Sequence, residues 1–212
     1  MKRICIVDYG VGNIHSAVKA FRHFTNDVLL SEDPDVVRGA DALVLPGVGS
    51  FEAGMEGLRV RGLIDSVTQS AKSGRPLLGI CLGAQLLLTT GHEFGTFPGL
   101  NIISGEVTPF PPLTDGSKTP HIGWNTLTAP AGKNWQGTIL QDLPQNAQTY
   151  FIHSFILKPA DSSAVLAETE YGGCVFPSVI QSGLIYGCQF HPEKSGEKGL
   201  KIIENFIQMV GN

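Results

Sequence analysis

Along the first ninety or so residues, short apolar runs alternate with segments whose hydrophobic positions recur every three or four residues. Residues 3–8 (Arg-Ile-Cys-Ile-Val-Asp) read as a buried strand. Ile14, Ala17, Val18 and Phe21 then follow the i, i+3, i+4, i+7 spacing of one helix face. Residues 28–30 predict a short strand, and Asp33-Pro34 offers an N-cap with proline at the first helical position. Residues 40–45 predict a third strand, ending in Pro46-Gly47-Val48-Gly49, and a long helical region runs to about Ser73. The run Pro76-Leu-Leu-Gly-Ile80 reads as a fourth buried strand, and residues 82–88 have the composition of a packed helix. Strands separated by helices predict a parallel, doubly wound sheet whose ligand site lies beyond the strand C-termini.

The pattern changes after His92. Residues 100–110, 121–127, 149–157 and 165–168 predict strands, followed by a hairpin around Gln181-Ser182-Gly183. A last helix over 199–209 turns Ile203, Phe206, Ile207 and Val210 to the core, and residues 109–120 and 129–136 read as long surface loops. The fold class is α/β: a mostly parallel central sheet flanked by helices, an antiparallel extension, and a smaller accessory sheet. A chain of 212 residues suits one well-buried domain of this kind, so residues 1–212 are expected to form a single domain.

Charge narrows the partners. A net charge of −4 argues against nucleic acid or an anionic membrane surface. The first apolar run, Ile4-Cys-Ile-Val7, is too short for a signal peptide or a membrane span, so a cytoplasmic location is expected. Cysteines stand at 5, 81, 174 and 188 with no C-x-x-C pair, and no histidine pair has ligand spacing; reduced thiols, no metal and no cofactor are expected. Cys5 and Cys188 lie in apolar runs and read as small core residues, and Cys174 as a loop or strand-edge residue.

Cys81 is different. Flanked by Gly79 and Gly83 between a strand and a helix, it has the layout of a nucleophile elbow with sulfur in place of oxygen. Small neighbours permit the sharp turn, and the amides that open the helix favour a thiolate there. The second feature is His191-Pro-Glu193, after the apolar residues 184–190. In an extended stretch His191 and Glu193 point to one side, and a carboxylate there can fix the imidazole tautomer while the other ring nitrogen takes a thiol proton. Cys81, His191 and Glu193 thus make a candidate thiolate triad.

Gly79-Ile-Cys-Leu-Gly83 with Gln85, His191-Pro-Glu193 and Pro46-Gly-Val-Gly-Ser-Phe51 together resemble the class I (triad-type) glutamine amidotransferases. Within them, Asp8-Tyr-Gly-Val-Gly-Asn13, His121-Ile-Gly-Trp-Asn125, His153-Ser154 and Gln189-Phe-His-Pro-Glu-Lys-Ser195 resemble the glutaminase subunits that pass ammonia to a (β/α)8 cyclase in histidine biosynthesis. The match runs essentially end to end. It implies L-glutamine as substrate, Cys81 as nucleophile, His191 as general base and acid, and Glu193 as its orienting partner. It further implies an oxyanion hole from the backbone N–H groups of Val48 and Leu82, and glutamine contacts at Gly49, Gln85, Ser154 and Phe155. Asn13 and Lys194 match positions near the interface with the ammonia-accepting synthase subunit, giving a heterodimer.

Two details depart from that branch. Ala84 stands where methionine is expected, and the stretch after the Cys81 helix, Thr89-Thr-Gly-His-Glu-Phe-Gly-Thr-Phe-Pro-Gly99, is less acidic than expected. These, with Tyr171-Gly-Gly173 and Ile185-Tyr-Gly187, resemble paralogous glutaminases that serve sugar amidotransferases in surface-polysaccharide synthesis, which leaves the acceptor open. A stand-alone cysteine hydrolase and a non-catalytic scaffold are the readings from other classes. Of the remaining histidines, His15 and His23 read as surface or partner-facing, His92 as a cap or loop residue, and His121 and His153 as structural hydrogen-bonding residues.

Overall fold

The computed structural model describes residues 2–12 and 14–211. Strand β1 (Ile4–Val7) is wholly buried, and helix α1 (Ile14–Arg22) buries the predicted Ile14, Ala17, Val18 and Phe21. Strand β2 (Val28–Ser31) pairs parallel with β1. Helix α2 (Pro34–Gly39) starts as its cap predicts: the Asp33 carboxylate accepts from the Asp35 amide at 2.8 Å, with Pro34 at the first position.

Strand β3 (Ala42–Gly47) continues two residues beyond the predicted end. Its pairing with β1 stops at Val44, so Pro46, which has no N–H, is paired only toward the fourth strand. The single long helical region is in fact two helices, α3 (Phe51–Val60) and α4 (Leu63–Lys72), divided at Gly62 with φ of 67°. Strand β4 (Leu77–Cys81) runs without a loop into α5 (Leu82–Leu86).

Helix α5 is shorter than predicted, and the residues expected to begin the next strand explain why. The amides of Leu100, Asn101, Ile102 and Ile103 donate to the carbonyls of Leu86, Leu88, Leu87 and Leu87, so residues 100–103 close the end of that helix instead of joining a sheet. The short strands β5 (Thr90–Gly91) and β6 (Phe97–Pro98) precede β7 (Gly105–Pro109). Then come β8 (His121–Thr126), β9 (Gln148–His153), β10 (Phe155–Pro159), β11 (Val165–Tyr171), β12 (Cys174–Ser182), β13 (Ile185–Cys188) and α6 (Gly196–Gly211). The segment expected as one strand over 149–157 breaks at Ser154: β9 pairs with β8, and β10 pairs with β7.

The main sheet has seven strands in the order β11-β12-β13-β4-β3-β1-β2. It is parallel from β13 to β2 and antiparallel at β11 and β12. A four-stranded sheet (β10-β7-β5-β6) and the β8–β9 ribbon are the accessory sheets. One apolar cluster lies under α1 and α6, where Phe21 meets Phe206 edge-on at 6.2 Å, and the other under α3, α4 and α5 around Tyr9, Phe51 and Leu86. Among the described residues no helix is long and apolar enough to cross a membrane.

Candidate active site

Strand register assembles the site. Gly47 pairs with Cys81 across β3–β4, and Cys188 pairs with Ile80 across β13–β4. The C-terminal ends of three neighbouring parallel strands therefore present Val48-Gly49, Cys81-Leu82 and residues 189–191 side by side, where an α/β sheet holds its ligand.

Cys81 has φ of 52° and ψ of −108°, a strained conformation for a residue with a side chain. Its glycine neighbours make the turn possible. A Cβ on Gly79 would lie 2.8 Å from the Ala84 nitrogen, and one on Gly83 would collide with the Leu45 carbonyl oxygen. The elbow expected from sequence is thus enforced by packing of α5 against its own sheet. Cys81 is buried, and its thiol donates to the Ile152 carbonyl at 3.8 Å.

His191 Nδ1 lies 2.7 Å from Glu193 Oε1, with both side chains almost fully buried. The pairing expected from sequence is present, but not by strand alternation: Pro192–Lys194 is a single 3-10 turn, and it is this turn that swings Glu193 back under the ring. The Ser195 hydroxyl donates to the His191 carbonyl at 2.6 Å, and the His191 amide donates to Tyr150 O at 2.9 Å. His191 Nε2 is buried and outside strict hydrogen-bond geometry, yet Cys81 is near enough to act on the ring's charge. Burial opposes protonation of His191; the hydrogen-bonding and charge interactions of Cys81 and Glu193 outweigh it and raise the ring to about 9. The His191 ring can therefore stand as imidazolium beside the sulfur at neutral pH.

A cavity of about 260 Å³ opens onto the sulfur. Val48, Gly49, Cys81, Leu82, Gln85, Ser154 and Phe155, all singled out from sequence, line it together with Glu93, Ile152 and His153. Ser154 and Phe155 reach it because the chain changes sheets there. Gln85 donates through Nε2 to Phe155 O at 3.3 Å. Lys194 is exposed at the edge of the His191 turn, and Asn13 lies outside the described residues.

Three residues to which the sequence motifs assign no role stand at the site. Glu93 Oε2 accepts from the Phe51 amide at 2.7 Å at the start of α3, so the carboxylate is fixed on the pocket wall. The available signal was that Glu93 is the one acidic residue between Cys81 and Gly105. Tyr9 is fully buried, its hydroxyl has no hydrogen-bond partner among the described residues, and a Cβ on Gly47 would collide with it. Burial, and then the charge of Cys81, hold that phenol well above its ordinary pKa. Gln189, fully buried, reaches Cys81 Sγ through Nε2 at 3.9 Å.

A pair of histidines, His121 and His153, adjoins the pocket, with His153 in its wall. His153 Nδ1 is 2.9 Å from Phe155 O, His153 Nε2 is 3.2 Å from His121 Nδ1, and His121 Nε2 is 3.3 Å from Asn125 Nδ2. Burial pushes His121 down to about 4 and His153 to about 3. Both rings make structural hydrogen bonds, as expected. His15 and His23 are exposed, and His92 is half-buried 3.5 Å from the Glu106 carboxylate. Cys5 and Cys188 are buried in the core with burial raising both thiols, and Cys174 is half-buried on β12.

The chain is similar to known proteins along its whole length. Residues 5–209 match the family model described as glutamine amidotransferase class-I. The chain is 48% identical over 213 residues to imidazole glycerol phosphate synthase subunit HisH 1 of Legionella pneumophila (strain Paris), covering 99% of this chain and 100% of that relative. It is 46% identical to the HisH subunit of Symbiobacterium thermophilum, over 99% of this chain and 95% of that one. Among solved structures, a glutamine amidotransferase superposes with a TM-score of 0.74 at 18% identity over 99% of both chains. A chain of PurLQS from Thermotoga maritima superposes at 0.68 and 18% identity over 98% of both chains.

Proposed function

The chain belongs to the class-I glutamine amidotransferase family, and we propose from that premise that it is the glutaminase subunit of an imidazole glycerol phosphate synthase. The observation that carries the chemistry is the buried His191–Glu193 pair at 2.7 Å, facing a strained cysteine that opens onto a pocket. The Cys81 thiolate attacks the side-chain carboxamide carbon of L-glutamine. His191 gives its proton to the departing nitrogen, so that ammonia leaves and a thioester remains. His191 then takes a proton from water, which attacks the thioester; glutamate departs and the thiolate is restored. Backbone N–H groups of Val48 and Leu82 meet the oxyanion in both halves. Gly49, Gln85, Ser154 and Phe155 hold the substrate, and the Glu93 carboxylate complements its α-ammonium group.

The partner reading rests on one face of the β8–β9 ribbon. Ile122 and Trp124 are 56% and 55% exposed, and Ile152 beside them on β9 is 39% exposed, with Tyr150 opposite Trp124. Ile152 also lines the pocket and accepts from Cys81, so this apolar face and the site share a strand. A synthase subunit seated there, of (β/α)8 cyclase type, receives ammonia before it protonates in solvent, and Lys194 lies on the adjoining turn.

The test is reconstitution with purified partners. The cyclase subunit should stimulate glutamate release, and Cys81→Ala should abolish glutamine-dependent synthesis while ammonia-dependent synthesis persists. Stimulation by a sugar amidotransferase alone would redirect the ammonia. Full turnover of glutamine without any partner would favour a stand-alone hydrolase, and failure of Cys81 to react with a glutamine-mimicking electrophile would favour a scaffold.

A further inference from the structure

Beyond the triad, a row of amides reaches the sulfur, and its polarity is fixed by a backbone carbonyl. Phe155 O can only accept, so the Gln85 atom 3.3 Å from it is the NH2 group. That same Nε2 stands 3.3 Å from one terminal atom of Gln189; two NH2 groups cannot face each other, so this atom is Gln189 Oε1. The Gln189 NH2 group is left pointing at Cys81 Sγ, 3.9 Å away. Gln189 cannot turn over without leaving Gln85 and the sulfur both mismatched in a site where it is fully buried. Its backbone is pinned as well, its amide donating to Ser178 O at 2.9 Å.

From this geometry we propose that Gln189 is a further catalytic residue, a fixed N–H donor that stabilises the Cys81 thiolate, with Gln85 and the Phe155 carbonyl as the positioning groups that aim it. The inference rests on Cys81 being the nucleophile. The titratable groups around the sulfur are His191 with Glu193, the Tyr9 phenol, and His153 and Glu93 in the pocket wall. In the proposed reaction His191 gives its proton away. His153 has its Nδ1–H committed to Phe155 O and its Nε2 to His121, so it has no N–H to spare. Gln189 keeps its donor throughout the cycle. It holds the thiolate before attack, when His191 is its counter-ion. It acts again when the second tetrahedral intermediate collapses, the carbon–sulfur bond breaks, and the electron pair returns to sulfur.

The experiment is the pH dependence of Cys81 alkylation by iodoacetamide in the full chain, read at that residue by mass spectrometry. Gln189→Met removes the donor at similar length. Labelling at pH 6 to 7 should fall roughly tenfold to a hundredfold, the range for a hydrogen bond to a charged group, and recover at alkaline pH as the thiolate titrates later. Gln189→Glu keeps an acceptor for Gln85 but turns an oxygen to the sulfur, and should shift the profile further in the same direction. If Gln189→Met fails to fold, Gln189→Glu carries the same test. Profiles that superimpose on the parent protein in a folded variant overturn the proposal, because a merely structural glutamine would leave the thiol titration in place. The parent protein is also treated with a chloroketone analogue of glutamine. No labelling at Cys81 would overturn the glutaminase reading itself; labelling together with unshifted variants would overturn only the role of Gln189.

Discussion

The molecule buries two histidine sites, His191 and the His121–His153 pair, and they behave in opposite ways. His191 is held up to about 9, whereas His121 and His153 are pushed down to about 4 and about 3. Burial is common to all three and opposes the charged ring each time. What differs is the company. His191 faces a carboxylate and a thiol, both of which favour imidazolium. His153 faces a carbonyl and a second imidazole, and His121 adds an amide and two stacked rings, Tyr171 at 4.0 Å and Phe151 at 4.8 Å. Depth alone therefore does not decide the charge of a buried histidine; a counter-charge at hydrogen-bond distance does. The neutral pair has another use, since its Nδ1–H bond to Phe155 O helps fix the carbonyl that orients Gln85.

The largest expected effect breaks the charged side of this comparison. His191→Asn should lower glutamine-dependent activity of the complex by roughly 10²–10⁴-fold, the usual worth of acid–base catalysis, measured as kcat/KM with the partner present. Next comes its counter-charge. Glu193→Gln removes the carboxylate that raises His191, so the alkaline limit of the imidazolium state should move down from about 9. The rate at neutral pH should fall by about 10–100-fold, as for loss of a charged hydrogen bond. A pH–rate profile with its alkaline limb unmoved would show that Cys81 alone holds the ring up. Trp124→Ala tests the docking face near the charged site: partner affinity should drop by about tenfold or more, as for an interface aromatic, with no change in the thermal stability of the isolated chain.

What the sequence revealed follows from which interactions are local. The elbow is carried by consecutive residues, Gly79 to Gly83, and the α2 cap by Asp33 and Pro34, so both were readable. His191 and Glu193 were paired correctly for the wrong local reason, because a 3-10 turn and an extended strand can each bring residues two apart to one side. The break at Ser154 was hidden, since the polar pair His153-Ser154 inside the run from Thr149 to Leu157 does not by itself mark a change of partner strand; the pairing of β9 with β8 and β10 with β7 shows it. Residues 100–103 read as strand because they are apolar, but they spend their amides on the carbonyls of residues 86–88. Glu93 and Gln189 were missed for a related reason. A carboxylate reaching across 42 residues to cap α3, and an amide reaching across 108 to the sulfur, are products of topology.

The smallest effect sharpens the neutral side, and it appears in stability. The folded pKa values of His121 and His153 lie below the value near 6.5 of an unfolded chain, so the unfolded state takes up protons first as pH falls. Their contribution is present above about pH 6.5 and is lost progressively toward about 4 and 3. His191 has the opposite sign: its contribution is present below about 6.5 and is lost as pH rises through about 9. His121→Asn should lower the Tm at pH 7, through lost stacking on Tyr171 and Phe151, by a few degrees, at about 2–4 °C per kcal/mol for a chain of this size. The same variant should flatten the acid slope of Tm against pH, so that the gap to the parent protein narrows between pH 6.5 and 4, while the alkaline slope stays unchanged. Glu193→Gln should do the reverse, flattening only the alkaline slope. If His121→Asn left the acid slope intact, the buried neutral pair would not be the source of the acid sensitivity, and carboxylates that gain protons on acidification would have to supply it.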